Sequence, residues 1–265
     1  IAGCEKEEIG EAVKIAEDWD YDEINLNVGC PSDRVSGNQM GASLMAYPEE
    51  VAEIVQAMKR ETNKPVTVKH RIGIDGTNIL PSSLPKVIFD KYEDLEYFVK
   101  VLNEAGVKHF IIHARIAILE GLSPKDNREI PPLRYDDVYR IKKDFPELLI
   151  EINGGIKTIE SIRKHLNHVD GVMLGRAAYE APFILAEVDQ FVEGGKINNI
   201  SRREVIEKLM DYVERFGEDQ KMGYNALKNT LGLFHNKRGS KLWRQIINPP
   251  WGEGLYGKNI LERAL

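Results

Sequence analysis

Residues 24–33 read INLNVGCPSD, a short apolar run (Ile24–Val28) that ends in Gly29-Cys30-Pro31-Ser32 and carries Asn27 and Cys30 at its tip. The same grammar returns at Val66–Lys69, His109–His113, Leu149–Asn153 and Gly171–Leu174. A helical pattern follows each run. Pro48–Arg60 has Pro at its first position and turns Val51, Val55 and Met58 to one face. Glu93–Ala105 turns Leu95, Phe98 and Leu102 inward and stops at Gly106. Asp136–Phe145, Thr158–Leu166 with a Thr cap, and Ala181–Val192 complete the set. Ahead of the first run, Glu5–Trp19 places Ile9, Ala12, Ala16 and Trp19 on one face.

Strands apolar along their whole length belong to a parallel sheet covered on both faces. An open doubly wound sheet and a closed (β/α)8 TIM barrel both satisfy this pattern, and both put chemistry at the carboxyl ends of strands. Those ends collect Asn27 and Cys30, Lys69 and Arg71, His113 and Arg115, Asn153-Gly154-Gly155, and Gly175-Arg176. One rim fed by successive strands favours the barrel. A barrel needs eight strands, so two or three more are expected ahead of Ile1, with "IAGC" the frayed end of another. Two long connections, His70–Tyr92 and Ala114–Tyr135, leave the same rim, where long loops usually bind or cover ligands.

After Glu193-Gly194-Gly195 the strand pattern ends. Ser201 and Glu204 form a capping box, and Glu218–His235 and Ser240–Ile247 read as helical. The expected organisation is a catalytic barrel over 1–195 and a small all-helical domain over 196–265.

The 265 residues carry a net charge of −6. From Lys196 onward there are 13 basic and 8 acidic residues, and Lys228–Arg244 holds five basic residues and no acidic one. An acidic body with a basic end is the asymmetry expected when one part meets an anionic polymer. Two cysteines, Cys4 and Cys30, make neither a disulfide framework nor a metal site, which fits a reducing, cytoplasmic compartment. No run is long and apolar enough for a membrane span, so no membrane partner is expected.

Glycines at Asn153-Gly154-Gly155 and Gly175-Arg176 let backbone N–H groups approach a phosphate at the last two strands. Lys69 ends an apolar strand and needs a polar target for its ammonium. An anionic ligand or an electron-rich ring would serve. Cys30 can be core filler or a rim acid, and its metal-ligand reading lacks a second soft ligand. A free thiol ionises near about 8.5, so it holds a proton to give at neutral pH.

The stretches NLNVGCPSDRV (25–35), GASLM (41–45), PVTVKHRIGID (65–75), IIHAR (111–115), GLSPKDNREIPPLRYD (121–136), EINGGI (151–156) and VMLGRAAYEAP (172–182) together resemble the tRNA-dihydrouridine synthases. The 121–136 loop resembles the A subfamily. The likeness runs from Ile1 to Val192 and continues more weakly through residues 227–244.

The resemblance implies an enzyme that uses flavin mononucleotide (FMN) to reduce the C5–C6 double bond of a D-loop uridine in tRNA, with NADPH as reductant. It makes Cys30 the proton donor to C5 while flavin N5 delivers hydride to C6. It makes Asn27 a uridine contact, and Lys69, His113, Asn153, Gly154, Gly155, Gly175 and Arg176 flavin-binding residues, the last five around the phosphate. Arg71 and Arg115 are expected at the base or flavin edge. Lys125 and Arg128, and in the helical domain Lys241 and Arg244, are expected to touch tRNA. Ile116 and Glu120 stand where the family often has basic residues. The readings that compete are a flavin barrel acting on a small pyrimidine and a tRNA-binding protein without catalysis.

Overall fold

The computed structural model describes residues 1–32, 40–191, 195–252 and 254–264. Asp33, Arg34 and Val35 of the cysteine motif lie outside the described residues, as do Val192, Glu193 and Gly194. The chain forms two compact units, residues 1–155 with 162–173, and residues 156–161 with 174–265.

The first unit is built on five parallel strands, β1 (Ile24–Val28), β2 (Val66–Arg71), β5 (His109–His113), β7 (Leu149–Asn153) and β8 (Gly171–Met173), hydrogen-bonded in that order. A doubly wound sheet reverses its strand order at a switch point. This sheet never reverses, and each new strand lies beside the previous one, as in the wall of a (β/α)8 barrel. The main chain of Ile1 continues the wall on the far side of β1: its N-terminus donates to Asn25 O (2.7 Å) and its carbonyl accepts from Asn27 N (2.8 Å).

Register decides what faces where, because paired residues share a face. Leu26, Val28, Val68, Phe110, Ile112, Ile150 and Ile152 are fully buried. Their face is the helix side, since His70 on it meets the ring of Phe98 in α3 (Tyr92–Glu104) at 5.0 Å. Leu95, Phe98 and Leu102 are buried as the periodicity predicts, and so are Val51, Val55 and Met58 of α2 (Pro48–Glu61). The opposite face carries Asn27↔Lys69↔Ile111 in one row and Arg71↔His113↔Asn153↔Met173 in the next.

Three expectations are corrected. Helix α1 (Lys6–Glu17) ends before Trp19, which is 61% exposed; the buried stripe is Ile9, Gly10 and Val13. The two long connections are not plain loops. They contribute β3 (Ile74–Asp75), β4 (Ile88–Phe89) and β6 (Ala117–Ile118) to a second, three-stranded sheet. The helix expected over Ala181–Val192 breaks into the short pieces Pro182–Ile184, Leu185–Val188 and Asp189–Phe191, none of which contains a fully buried residue to register it as one helix.

The second unit is helical. Ile206, Val213, Leu227, Leu233, Trp243, Ile247, Ile260 and Leu261 form its core. The capping box is complete: Glu204 N donates to Ser201 Oγ (3.2 Å) and Ser201 N to Glu204 Oε2 (2.7 Å) at the start of Arg202–Glu214. Ser201→Ala is expected to cost about 1 kcal/mol. The check is a lower denaturation midpoint of the second unit, with no change in the slope of the transition.

Candidate active site

The turn after β1 is organised by Asn27. Its Oδ1 accepts from Gly29 N (3.0 Å) and Cys30 N (3.2 Å), which holds the main chain at Cys30 in place. Gly29 lies against the backbone of β2: a Cβ there would stand 3.3 Å from His70 Cα. Cys30 O accepts from Ala42 N (2.9 Å), which ties the turn to the Gly41–Ala46 segment. Cys30 is a free, half-buried cysteine.

Lys69, beside Asn27 in register, makes no hydrogen bond or ion pair among the described residues. Burial lowers its pKa, and Arg71 adds to the effect, while the Cys30 sulfur opposes it. Arg71 is pushed down to about 10, chiefly by burial, then by Arg115, with Cys30 opposing and Arg128 adding a smaller push. Four cations thus crowd one rim, and among the described residues no carboxylate acts on Lys69 or Arg71. Such a cluster favours an anionic ligand, since like charges in a partly buried site are costly alone.

Arg71 also has structural work. Its Nε donates to Gly29 O (3.2 Å), and its Nη1 to Ile116 O (3.2 Å) and Asn127 O (2.9 Å). Arg115 Nη1 donates to Pro131 O. Both arginines, expected at the base or flavin edge, therefore anchor the long β5 connection to the rim.

The Asn153-Gly154-Gly155 turn follows β7. Asn153 Nδ2 donates to Met173 O (2.8 Å), and Tyr135 Oη to Gly154 O (2.8 Å). Gly154 has φ +117° and Gly155 φ +71°, backbone that disfavours side chains. Space is tight as well: a Cβ at Gly155 would stand 2.6 Å from Leu133 Cδ1, and one at Gly154 would stand 3.1 Å from Leu133 Cδ2 and 3.3 Å from His113 Cε1. His113 thus packs directly on the glycine turn. Bare backbone next to a cationic rim suits a phosphate.

The first unit therefore brings together Asn27, Cys30, Lys69, Arg71, His113, Arg115, Asn153, Gly154 and Gly155 at the ends of four adjacent strands. Lys125 and Arg128 are exposed on the same long connection. Gly175 and Arg176 belong to the second unit, where Arg176 opens the short helix Arg176–Glu180. Lys241 and Arg244 are exposed on Ser240–Ile247, opposite the buried Trp243 and Ile247. They line an open cleft of about 540 Å³ with Gln245, Asn248, Pro249 and Pro250.

Sequence reasoning missed Leu133 and Tyr135, which clamp the glycine turn, and Asn127, a fully buried amide inside the long connection. Asn127 had one legible signal, its place between two predicted RNA contacts. Among the described residues no group of three or more His, Cys, Asp or Glu could hold a metal, and no helix is long and apolar enough to cross a membrane.

The family model described as dihydrouridine synthase matches residues 1–252. A tRNA-dihydrouridine(20/20a) synthase of Synechocystis is 48% identical over 267 residues, covering 100% of this chain and 76% of that protein. Proteins of the same name are similar at 46% in Pseudomonas putida (94% of this chain, 70% of that protein) and at 46% in Pseudomonas aeruginosa (100% and 76%). The match spans both units, and the likeness to the A type stands with it. The chain belongs to the dihydrouridine synthase family.

Proposed function

We propose that this chain acts as an FMN-dependent tRNA-dihydrouridine synthase, reducing the C5–C6 bond of uridine at position 20 or 20a in the D-loop, with NADPH as reductant. The observation that carries the proposal is the pairing of Cys30 with the cationic side chains of Lys69 and Arg71 at one rim, in a chain of this family.

The residues present fit the cofactor. Lys69 offers an ammonium that no described residue satisfies, and Gly155 keeps its main chain exposed beside Leu133 and Tyr135. Lys69 and His113 would hold the flavin. Asn153, Gly154 and Gly155 would hold its phosphate, and Gly175 and Arg176 are proposed for the same role. When bound, FMN supplies the hydride for C6 and is recharged by NADPH.

The protein's own part is to deliver and orient the base. A uridine inside folded RNA cannot reach a strand-end rim, so it must be unstacked and flipped in. Asn27 uses Oδ1 on its own turn, and its Nδ2, without a partner among the described residues, can donate to a uracil carbonyl. The Cys30 Sγ–H bond breaks and its proton goes to C5. Lys69 and Arg71 face the negative charge left on sulfur. Lys125 and Arg128, with Lys241 and Arg244 of the second unit, hold the RNA through its phosphates.

The first test is an absorbance spectrum of the purified chain with FMN added, followed by NADPH. A perturbed flavin spectrum that bleaches with NADPH supports the proposal; a spectrum identical to free FMN counts against it. For the RNA contacts, replacing Lys241 and Arg244 together by Ala is expected to weaken all tRNAs alike. It should also flatten log Kd against log salt concentration by about 1 to 2. An unchanged salt slope removes these two residues from the interface.

A further inference from the structure

Asn127 is fully buried in the long connection after β5, and its amide replaces a neighbouring strand. Its Oδ1 accepts from Ile118 N (2.8 Å) and its Nδ2 donates to Ile118 O (2.8 Å), satisfying both main-chain groups of one β6 residue. The same Nδ2 reaches Leu122 O at 3.2 Å. The Asn127 main-chain carbonyl accepts from Arg71 Nη1 (2.9 Å), and Arg71 Nε reaches back to Gly29 O (3.2 Å), one residue before Cys30. Cys30 N is held from the other side by Asn27 (3.2 Å).

One guanidinium therefore joins the turn that carries the thiol to the loop that carries Lys125 and Arg128, and Asn127 fixes where that loop meets it. We propose that Asn127 is a positioning residue, which through Arg71 sets the Cys30 turn and so couples RNA contact by Lys125 and Arg128 to placement of the proton donor. This rests on the function proposed above. If Asn127 only shaped the loop, its loss would weaken RNA binding and leave Cys30 untouched.

Asn127→Asp separates the two roles. It keeps the acceptor for Ile118 N but turns a second oxygen toward Ile118 O and Leu122 O, where repulsion displaces the loop. Two readouts are taken on the full chain. Iodoacetamide alkylation followed by mass spectrometry gives the Cys30 rate, with Cys4 as reference in the same molecule. Steady-state reduction of tRNA by the FMN-loaded enzyme gives kcat and KM.

The expected result is a Cys30 rate raised about fivefold or more by opening of the turn, with the Cys4 rate unchanged. The kcat at saturating tRNA should fall on the order of 10- to 100-fold, as misplacement of a reacting group predicts. A Cys30 rate equal to wild type overturns the proposal whatever the kinetic constants. So does a raised KM with kcat retained. If the Asp variant does not fold, Asn127→Ser is measured in its place. Loss of folding in both also overturns the coupling, because Asn127 is then a folding residue. A wild-type chain that makes no dihydrouridine refutes the proposed function, and the alkylation comparison still decides whether Asn127 positions Cys30.

Discussion

Cys30→Ala is expected to retain FMN and tRNA binding and to lose about 10²- to 10⁴-fold in kcat, the usual contribution of a positioned acid. The Cys30 main chain is fixed by Asn27 Oδ1 (3.2 Å) and by Ala42 N (2.9 Å), neither of which uses the thiol. Removing sulfur therefore leaves the turn standing, and with it the surfaces that hold cofactor and RNA. Rapid mixing of the reduced, FMN-loaded variant with tRNA separates binding from reduction. A variant that forms dihydrouridine at the wild-type rate would remove Cys30 from the acid role.

Lys69→Met is expected to move stability and cofactor affinity in opposite directions. The ammonium has no hydrogen-bond or ion-pair partner among the described residues, and burial depresses its pKa below the ordinary 10.5. Between the depressed value and 10.5 the unfolded chain binds more protons than the folded one. Stability of the cofactor-free wild type therefore rises with pH across that window. The Met variant removes the buried charge, so it should melt at a higher temperature near neutral pH and lack this rise. Its FMN binding should be about ten- to hundredfold weaker, since hydrogen bonds to a charged group contribute roughly 1.5–3 kcal/mol. Calorimetry of the free protein and fluorescence titration with FMN read the two effects separately. A loss of stability together with affinity would make Lys69 a structural lysine.

The strands were legible because they are apolar runs closed by polar ends. Ile24–Val28, His109–His113 and Leu149–Asn153 have the predicted bounds, and the rim residues follow from them directly. Ser240–Ile247 also has the predicted bounds, and it buries Trp243 and Ile247, four residues apart, while Lys241 and Arg244 stay exposed. Two-residue strands such as Ile74–Asp75 and Ala117–Ile118 leave no period to detect. Trp19 reads as a core residue by type, yet the helix stops at Glu17 and leaves it outside.

The site shows the same division. Cys30, Lys69 and the glycine turn announce themselves by residue type and position. Arg71 does not: a guanidinium at a strand end reads as a ligand contact, and only the fold brings three main-chain carbonyls within its reach. Asn127 is hidden for a related reason, because its partners are backbone groups of Ile118 and Leu122 that carry no sequence signature.

The most direct test of the account is a single turnover without NADPH. The chain is loaded with FMN, reduced anaerobically, and mixed with tRNA that lacks dihydrouridine. The account predicts flavin reoxidation that depends on the tRNA, with dihydrouridine formed at position 20 or 20a in an amount equal to the flavin oxidised. Flavin that stays reduced in the presence of tRNA, or reoxidises without forming dihydrouridine, would contradict it.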